Sequence, residues 1–163
     1  MGEGMGGTMT GLEAATLGIA IHGAGLGVIN TLQSLSRDRV KLRVTPKLAL
    51  SLYPGAADTI TSVCIEVLNR STFPVTISEV GFTLHGTDKQ FKLPQPLLLD
   101  GGHFPRRLEP RSSFTVYFGP GAENHPAFAS VKSAYAKTDC GEMATGDSPA
   151  LRSLVEERRA IKS

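Results

Sequence analysis

The sequence has no tryptophan and only two cysteines, Cys64 and Cys140, among its 163 residues. Two thiols are too few for a disulfide scaffold or a four-cysteine zinc module. An excess of charge is missing as well. Seventeen Lys and Arg against 15 Asp and Glu leave +2, which excludes the electrostatic footprint of a general nucleic-acid binder. The local absences say more. Residues 1–35 contain no Lys or Arg and only two acids, Glu3 and Glu13, so they carry −2 while the other 128 residues carry +4. The same stretch holds nine of the 18 glycines. Over the whole chain, 40% hydrophobic and 20% charged residues are ordinary globular values, and the length suits one domain with its own core.

Between Ala14 and Ile29 nothing carries a fixed charge, and the run AATLGIAIHGAGLGVI is apolar on every side apart from Thr16 and His22. Read as a helix, it places Leu17, Ile21, Ala24, Val28 and Leu35 on one seam and Leu12, Ile19, Leu26 and Ile29 on another. A helix that is apolar all round is buried in lipid or in other protein. From Leu12 to Leu35 it has 24 positions, enough for a bilayer core of about 30 Å. Gly23 and Gly27 form a G-x-x-x-G step that allows close helix contact. The start MGEGMGGTMT lacks the basic leader of a secretory signal peptide. Directly after the apolar run, Arg37, Arg39, Lys41 and Arg43 supply a basic flank. That asymmetry orients a spanning helix with the following domain in the cytoplasm.

After Ser36 the period changes from helical to alternating. Val40, Leu42 and Val44 share one face of a strand whose other face is Arg39, Lys41 and Arg43, and Pro46 is expected to interrupt it before Leu48, Leu50 and Leu52 resume. Further strands are expected over 59–68, over 74–84 with a bulge near Ser78, around 90–93, over 112–118 with Phe114, Val116 and Phe118 inward, and over 130–138. Ser148 and Pro149 then start a short helix carrying Leu151, Leu154, Val155 and Ile161. Seven or so short strands without alternating helices predict an all-β, immunoglobulin-like sandwich, with a closed barrel as the rival. The organisation expected is a glycine-rich arm over 1–11, an apolar helix over 12–35, a β-sandwich over 36–147 and a C-terminal helix over 148–163.

Chemistry-bearing motifs are sparse. Gly2, Gly4 and Gly7 satisfy G-x-G-x-x-G, but no strand delivers the chain into them, as a dinucleotide site requires. Asn69-Arg70-Ser71 matches the N-glycosylation pattern and reads better as turn chemistry. His22, His85, His103 and His125 stand far apart, the last three in expected loops, and a Cys140–His125 nucleophile pair has no local motif behind it. Cys64 has the parity of Glu66, not of Val63 and Ile65, so it is expected on the outer face and unbridged. Arg106, Arg107 and Arg111 flank Leu108-Glu109-Pro110 in an expected loop and form a candidate binding rim for an acidic partner. No catalytic residue, metal site, cofactor or small-molecule substrate is inferred.

The succession of an apolar helix, RDRVKLRV, IEVLNRS, PVTISEVGF, FPRRLEP and YAKTDCG resembles small uncharacterised bacterial proteins that join an N-terminal membrane helix to an immunoglobulin-like sandwich. The resemblance implies a non-catalytic interaction module at the inner membrane with its β domain in the cytoplasm. Its partner would be a protein or a second copy of the chain, bound through the helix. The competing expectation is a structural component of a larger assembly such as a bacteriophage virion, with helix and glycine-rich arm packed against neighbouring subunits.

Overall fold

The computed structural model describes residues 27–28, 31, 39–51, 60–92, 96–119 and 121–162. Of the apolar segment, Gly27, Val28 and Thr31 are helical, and the Thr31 hydroxyl donates to the Gly27 carbonyl at 2.9 Å. Leu17, Ile21, Gly23 and Arg37 lie outside the described residues, as does most of the expected helix over 12–35. Among the described residues no helix is long and apolar enough to cross a membrane.

Residues 40–163 form one compact unit. It contains β1 (Leu42–Ser51), β2 (Ile60–Asn69), β3 (Val75–Leu84), β4 (Gln90–Phe91), β5 (Leu97–Leu98), β6 (Arg106–Leu108), β7 (Ser113–Tyr117), two 3-10 turns (Ala122–Asn124 and Pro126–Ser130), β8 (Val131–Thr138), β9 (Met143–Gly146) and the helix α1 (Pro149–Lys162). Among the described residues the strands make two antiparallel sheets. One sheet runs β1-β2-β7-β5 and the other β4-β3-β8-β9, with β6 also paired to β3. Because β8 occupies one side of β3, β4 and β6 share the other, β4 at the carboxyl end and β6 at the amino end.

Alternation explains the core. Val63, Ile65 and Val67 from β2, Phe114 and Val116 from β7, and Val75, Ile77, Val80 and Phe82 from β3 belong to a single buried cluster drawn from both sheets. Along β2, β3 and β7 the residues that join this cluster share one face, as the pleat of a strand requires. Glu79 breaks the rhythm of β3: the pairing with β8 slips between Ile77 and Glu79, so a bulge at Ser78 moves Val80 and Phe82 onto the face that Val75 and Ile77 occupy. Phe82 lies 5.5 Å from Phe118 and 5.2 Å from Phe128, ring centre to ring centre, so a 3-10 turn residue closes one end of the core. On the outer face the Tyr135 hydroxyl donates to Glu79, and this bond, more than the neighbouring Lys92, holds the Glu79 carboxyl below its usual range.

Several expectations are corrected. Pro46 does not interrupt β1, which pairs with β2 without a break and sets Pro46 opposite Ile65. As an edge strand, β1 tolerates the missing donor, because the proline nitrogen has no ladder partner to lose on its open side. Leu97–Leu98 and Arg106–Leu108 are short strands where loop was expected. Cys64, expected outside, is only 3% exposed. Its parity is outward, but β2 is an interior strand and the long side chains of Lys47 and Tyr117 stand directly across from Cys64 on either side. In α1, Ser148 caps the helix by accepting from the Leu151 N–H at 3.1 Å, and Leu151, Leu154 and Val155 are buried, whereas Ile161 is exposed.

Candidate functional site: a basic cleft at one end of the sandwich

Strand direction sorts the loops into two ends. At one end lie the start of β1, the β2–β3 turn, the β6–β7 turn and the β8–β9 turn. Arg70 and Arg111, distant in sequence from each other and from Lys41, meet there. The Arg70 N–H donates to the Lys41 carbonyl at 2.7 Å, and the Arg111 N–H donates to the Asn69 carbonyl at 2.9 Å. The three residues line one open cleft of about 710 Å³ together with Val40, Leu42, Leu68, Asn69 and Ala144.

Asn69 holds this end together. It is fully buried, and its amide nitrogen donates to the carbonyls of Phe73 (2.9 Å), Leu108 (3.1 Å) and Glu109 (3.3 Å), while its side-chain oxygen accepts from the Ser71 N–H at 2.9 Å. The Ser71 hydroxyl in turn accepts from the Lys41 N–H at 2.8 Å. One side chain therefore ties the β2–β3 turn to the β6–β7 turn. With its amide nitrogen so engaged, Asn69 is unsuited to be a glycosylation acceptor.

Arg111 has a φ of 61°, in the left-handed region that favours glycine. It occupies the third position of a Glu109–Ser112 turn, where Pro110 presets the second position and the Ser112 N–H returns to the Glu109 carbonyl at 3.2 Å. An arginine there costs roughly 1–2 kcal/mol relative to the right-handed conformation. The surrounding hydrogen bonds hold it, and the strain places a guanidinium at the cleft.

The three arginines of the expected rim do not act alike. Arg106 pairs with Asp100, whose carboxyl it draws down to about 2, and its guanidinium lies 5.2 Å from the centre of the Phe114 ring. Arg107 pairs with Glu109 at 2.8 Å. Only Arg111 joins the cleft. Arg39 and Arg43 are exposed, Arg39 immediately before the start of the unit and Arg43 on the outer face of β1. In the sequence a lone arginine in an Asn-Arg-Ser turn carries no signal, and Arg70 becomes significant only through its backbone pairing with Lys41.

The remaining candidates stay apart. His125 precedes β8 and Cys140 follows it, so the strand separates them and they cannot form a nucleophile pair. Among the described residues no group of three His, Cys, Asp or Glu is placed to hold a metal ion. Both cysteines are free, Cys64 buried and Cys140 exposed. Burial pushes the Cys64 thiol up, whereas hydrogen bonding with Thr138 and with the backbone of Glu142 draws that of Cys140 down. Ellman's reagent on the native protein at neutral pH is therefore expected to titrate Cys140 quickly and Cys64 only on denaturation. Two fast thiols would contradict the placement of Cys64, and none in the monomer would reveal a bridge.

Compared with known proteins, the sequence matches no family model and no curated protein, so the reading of this chain rests on its own residues.

Proposed function

We propose that the chain is a non-catalytic interaction module, an immunoglobulin-like sandwich tethered to the inner membrane by its N-terminal apolar segment, with the β domain in the cytoplasm. The fold part of the reading is supported by strand order. With β4 and β6 left aside, β1-β2-β7-β5 in one sheet and β3-β8-β9 in the other follow the order of an immunoglobulin domain, whose first, second, fifth and fourth strands share one sheet and whose third, sixth and seventh share the other. The observation that carries the functional part is the gathering of Lys41, Arg70 and Arg111 around one cleft at the end where Val40 begins the domain. Apolar residues 12–35 precede that end in the sequence, separated from it by Ser36, Arg37, Asp38 and Arg39. A basic end so close along the chain to an apolar segment suits contact with anionic headgroups, each cation contributing about 1 kcal/mol near such a surface. Arginine adds bidentate hydrogen bonding to phosphate.

Expression in bacteria followed by fractionation tests the tether. The full chain is expected to stay with the membrane through a high-salt wash and to need detergent for release. Its β domain should resist protease in intact spheroplasts and be cut after lysis. In reconstituted vesicles, amide exchange at residues 40–42, 69–71 and 111–112 should slow with phosphatidylglycerol but not with phosphatidylcholine, and Arg70→Ser with Arg111→Asn should remove the difference. Release by salt alone would discard the tether and promote the assembly reading. Equal exchange in both lipids would discard the headgroup contact.

A further inference from the structure

The opposite end of the domain holds a second cleft, of about 660 Å³, between β1, the Ala122–Asn124 turn and α1. Leu48, Leu50 and Leu154 form its apolar side, and Glu123, Glu157 and Arg158 supply its charges. Glu123 is only 9% exposed, and its Oε2 has no hydrogen-bond partner among the described residues. The Arg158 Nε is buried and unpartnered in the same way. Buried polar atoms are nearly always satisfied, so two residues that line one cleft and each carry an orphan, of opposite character, call for a group that brings a donor to one and an acceptor to the other.

Their supports are firm. Glu123 is set by a 3-10 turn that follows Gly121 in the left-handed conformation, and Arg158 lies one helical turn beyond the buried Leu154. Leu48 and Leu50 share one face of β1 and remain exposed, Leu50 by 69%. An apolar wall beside a few convergent polar groups, at this volume, is the composition of a small-ligand site.

We infer that this cleft binds an α-ammonium group adjoining a carbonyl or carboxylate oxygen and an apolar side chain. The ammonium meets Glu123, with Glu157 adding to the negative field, the oxygen accepts from the Arg158 Nε, and the side chain covers Leu48, Leu50 and Leu154. A free apolar amino acid and the N-terminus of a polypeptide share this chemistry. The inference is independent of the membrane tether, because it uses neither the basic cleft nor the apolar segment.

Titration of the full chain, followed by amide chemical shifts, tests it with three probes. L-leucinamide is expected to saturate shifts at the residues named above, and N-acetyl-L-leucinamide, which lacks the ammonium, is expected not to. L-leucine binding as well as leucinamide assigns the site to a free amino acid, and preference for leucinamide assigns it to a polypeptide N-terminus. Glu123→Gln should weaken binding about tenfold through loss of a charge-assisted hydrogen bond. Leu50→Ser, at an exposed position that does not endanger folding, should weaken it as well. Absence of saturable shifts with both amines, or equal binding of the acetylated probe, overturns the inference.

Discussion

Replacing Gly146 by alanine is expected to destabilise the domain by about 3 kcal/mol or more, a large part of the roughly 5–15 kcal/mol that holds a typical domain folded. Gly146 is the last residue of β9, at the edge of one sheet, and it lies against Val44 of β1, at the edge of the other. A Cβ built on it would stand 1.7 Å from the Val44 carbonyl oxygen and 2.6 Å from the carbonyl carbon. Both are backbone atoms, which cannot swing aside as a side chain does, so β1 and β9 would have to part. Separating them exposes Val44, a member of the shared core. Gly119→Ala is the control, because a Cβ there meets nothing within 4 Å. Urea denaturation of the two variants should give a much lower midpoint for Gly146→Ala and a nearly unchanged one for Gly119→Ala. Coincident midpoints would mean that the two edges do not approach as described.

Asn69→Leu is the second substitution with a large expected effect, again about 3 kcal/mol, and its cause is polar. Leucine fills a similar volume but offers no donor to the carbonyls of Phe73, Leu108 and Glu109 and no acceptor to the Ser71 N–H. Each buried group left unpaired costs about 1–3 kcal/mol, partly relieved where water reaches it. Asn69→Asp should be at least as harmful, since it keeps the shape but turns an oxygen with negative charge toward carbonyl oxygens. Thermal unfolding compares the two. Stability equal to the wild type in Asn69→Leu would show that the turns at this end hold without Asn69. In the folded fraction, faster amide exchange at Arg70 and Arg111 would show that Asn69 also positions the basic cleft.

Much of the fold was legible because alternation is a local property. The strands over 60–69, 75–84 and 113–117 declared themselves by alternating apolar residues, and α1 by Ser148, Pro149 and a helical spacing of leucine and valine. Even the bulge at Ser78 was written locally, as a change of parity between Ile77 and Val80. The misreadings fall where a neighbour outranks local chemistry. Pro46 is a strand breaker in isolation and harmless on an edge, and whether β1 is an edge is decided by which strands lie beside it. Cys64 has outward parity, but Lys47 and Tyr117 flank it only because β2 pairs on both sides. The two-residue strand β5 and the three-residue β6, unlike β4 where a short strand was expected, are too short for periodicity to register, and partners elsewhere in the chain create them.

The candidate sites divide in the same way. Arg39, Lys41 and Arg43 form a recognisable basic run, whereas Arg70 and Arg111 join Lys41 only through backbone hydrogen bonds between turns that lie far apart in the chain. Arg106 and Arg107 belong to the same cluster in sequence as Arg111, yet Asp100 and Glu109 pair with them while Arg111 turns to the cleft. Glu123 and Arg158 are unremarkable as letters. Their significance is that each holds one buried atom with no partner among the described residues, a property that arises only once β1, a 3-10 turn and α1 come together. By itself the sequence determined which residues face inward along β2, β3 and β7, where α1 begins and how charge divides between the first 35 residues and the rest, because these follow from spacing and composition. Tertiary structure alone decided which strands are edges, which polar atoms lose water and which cations share a cleft, because pairing and desolvation depend on residues brought together across the whole chain.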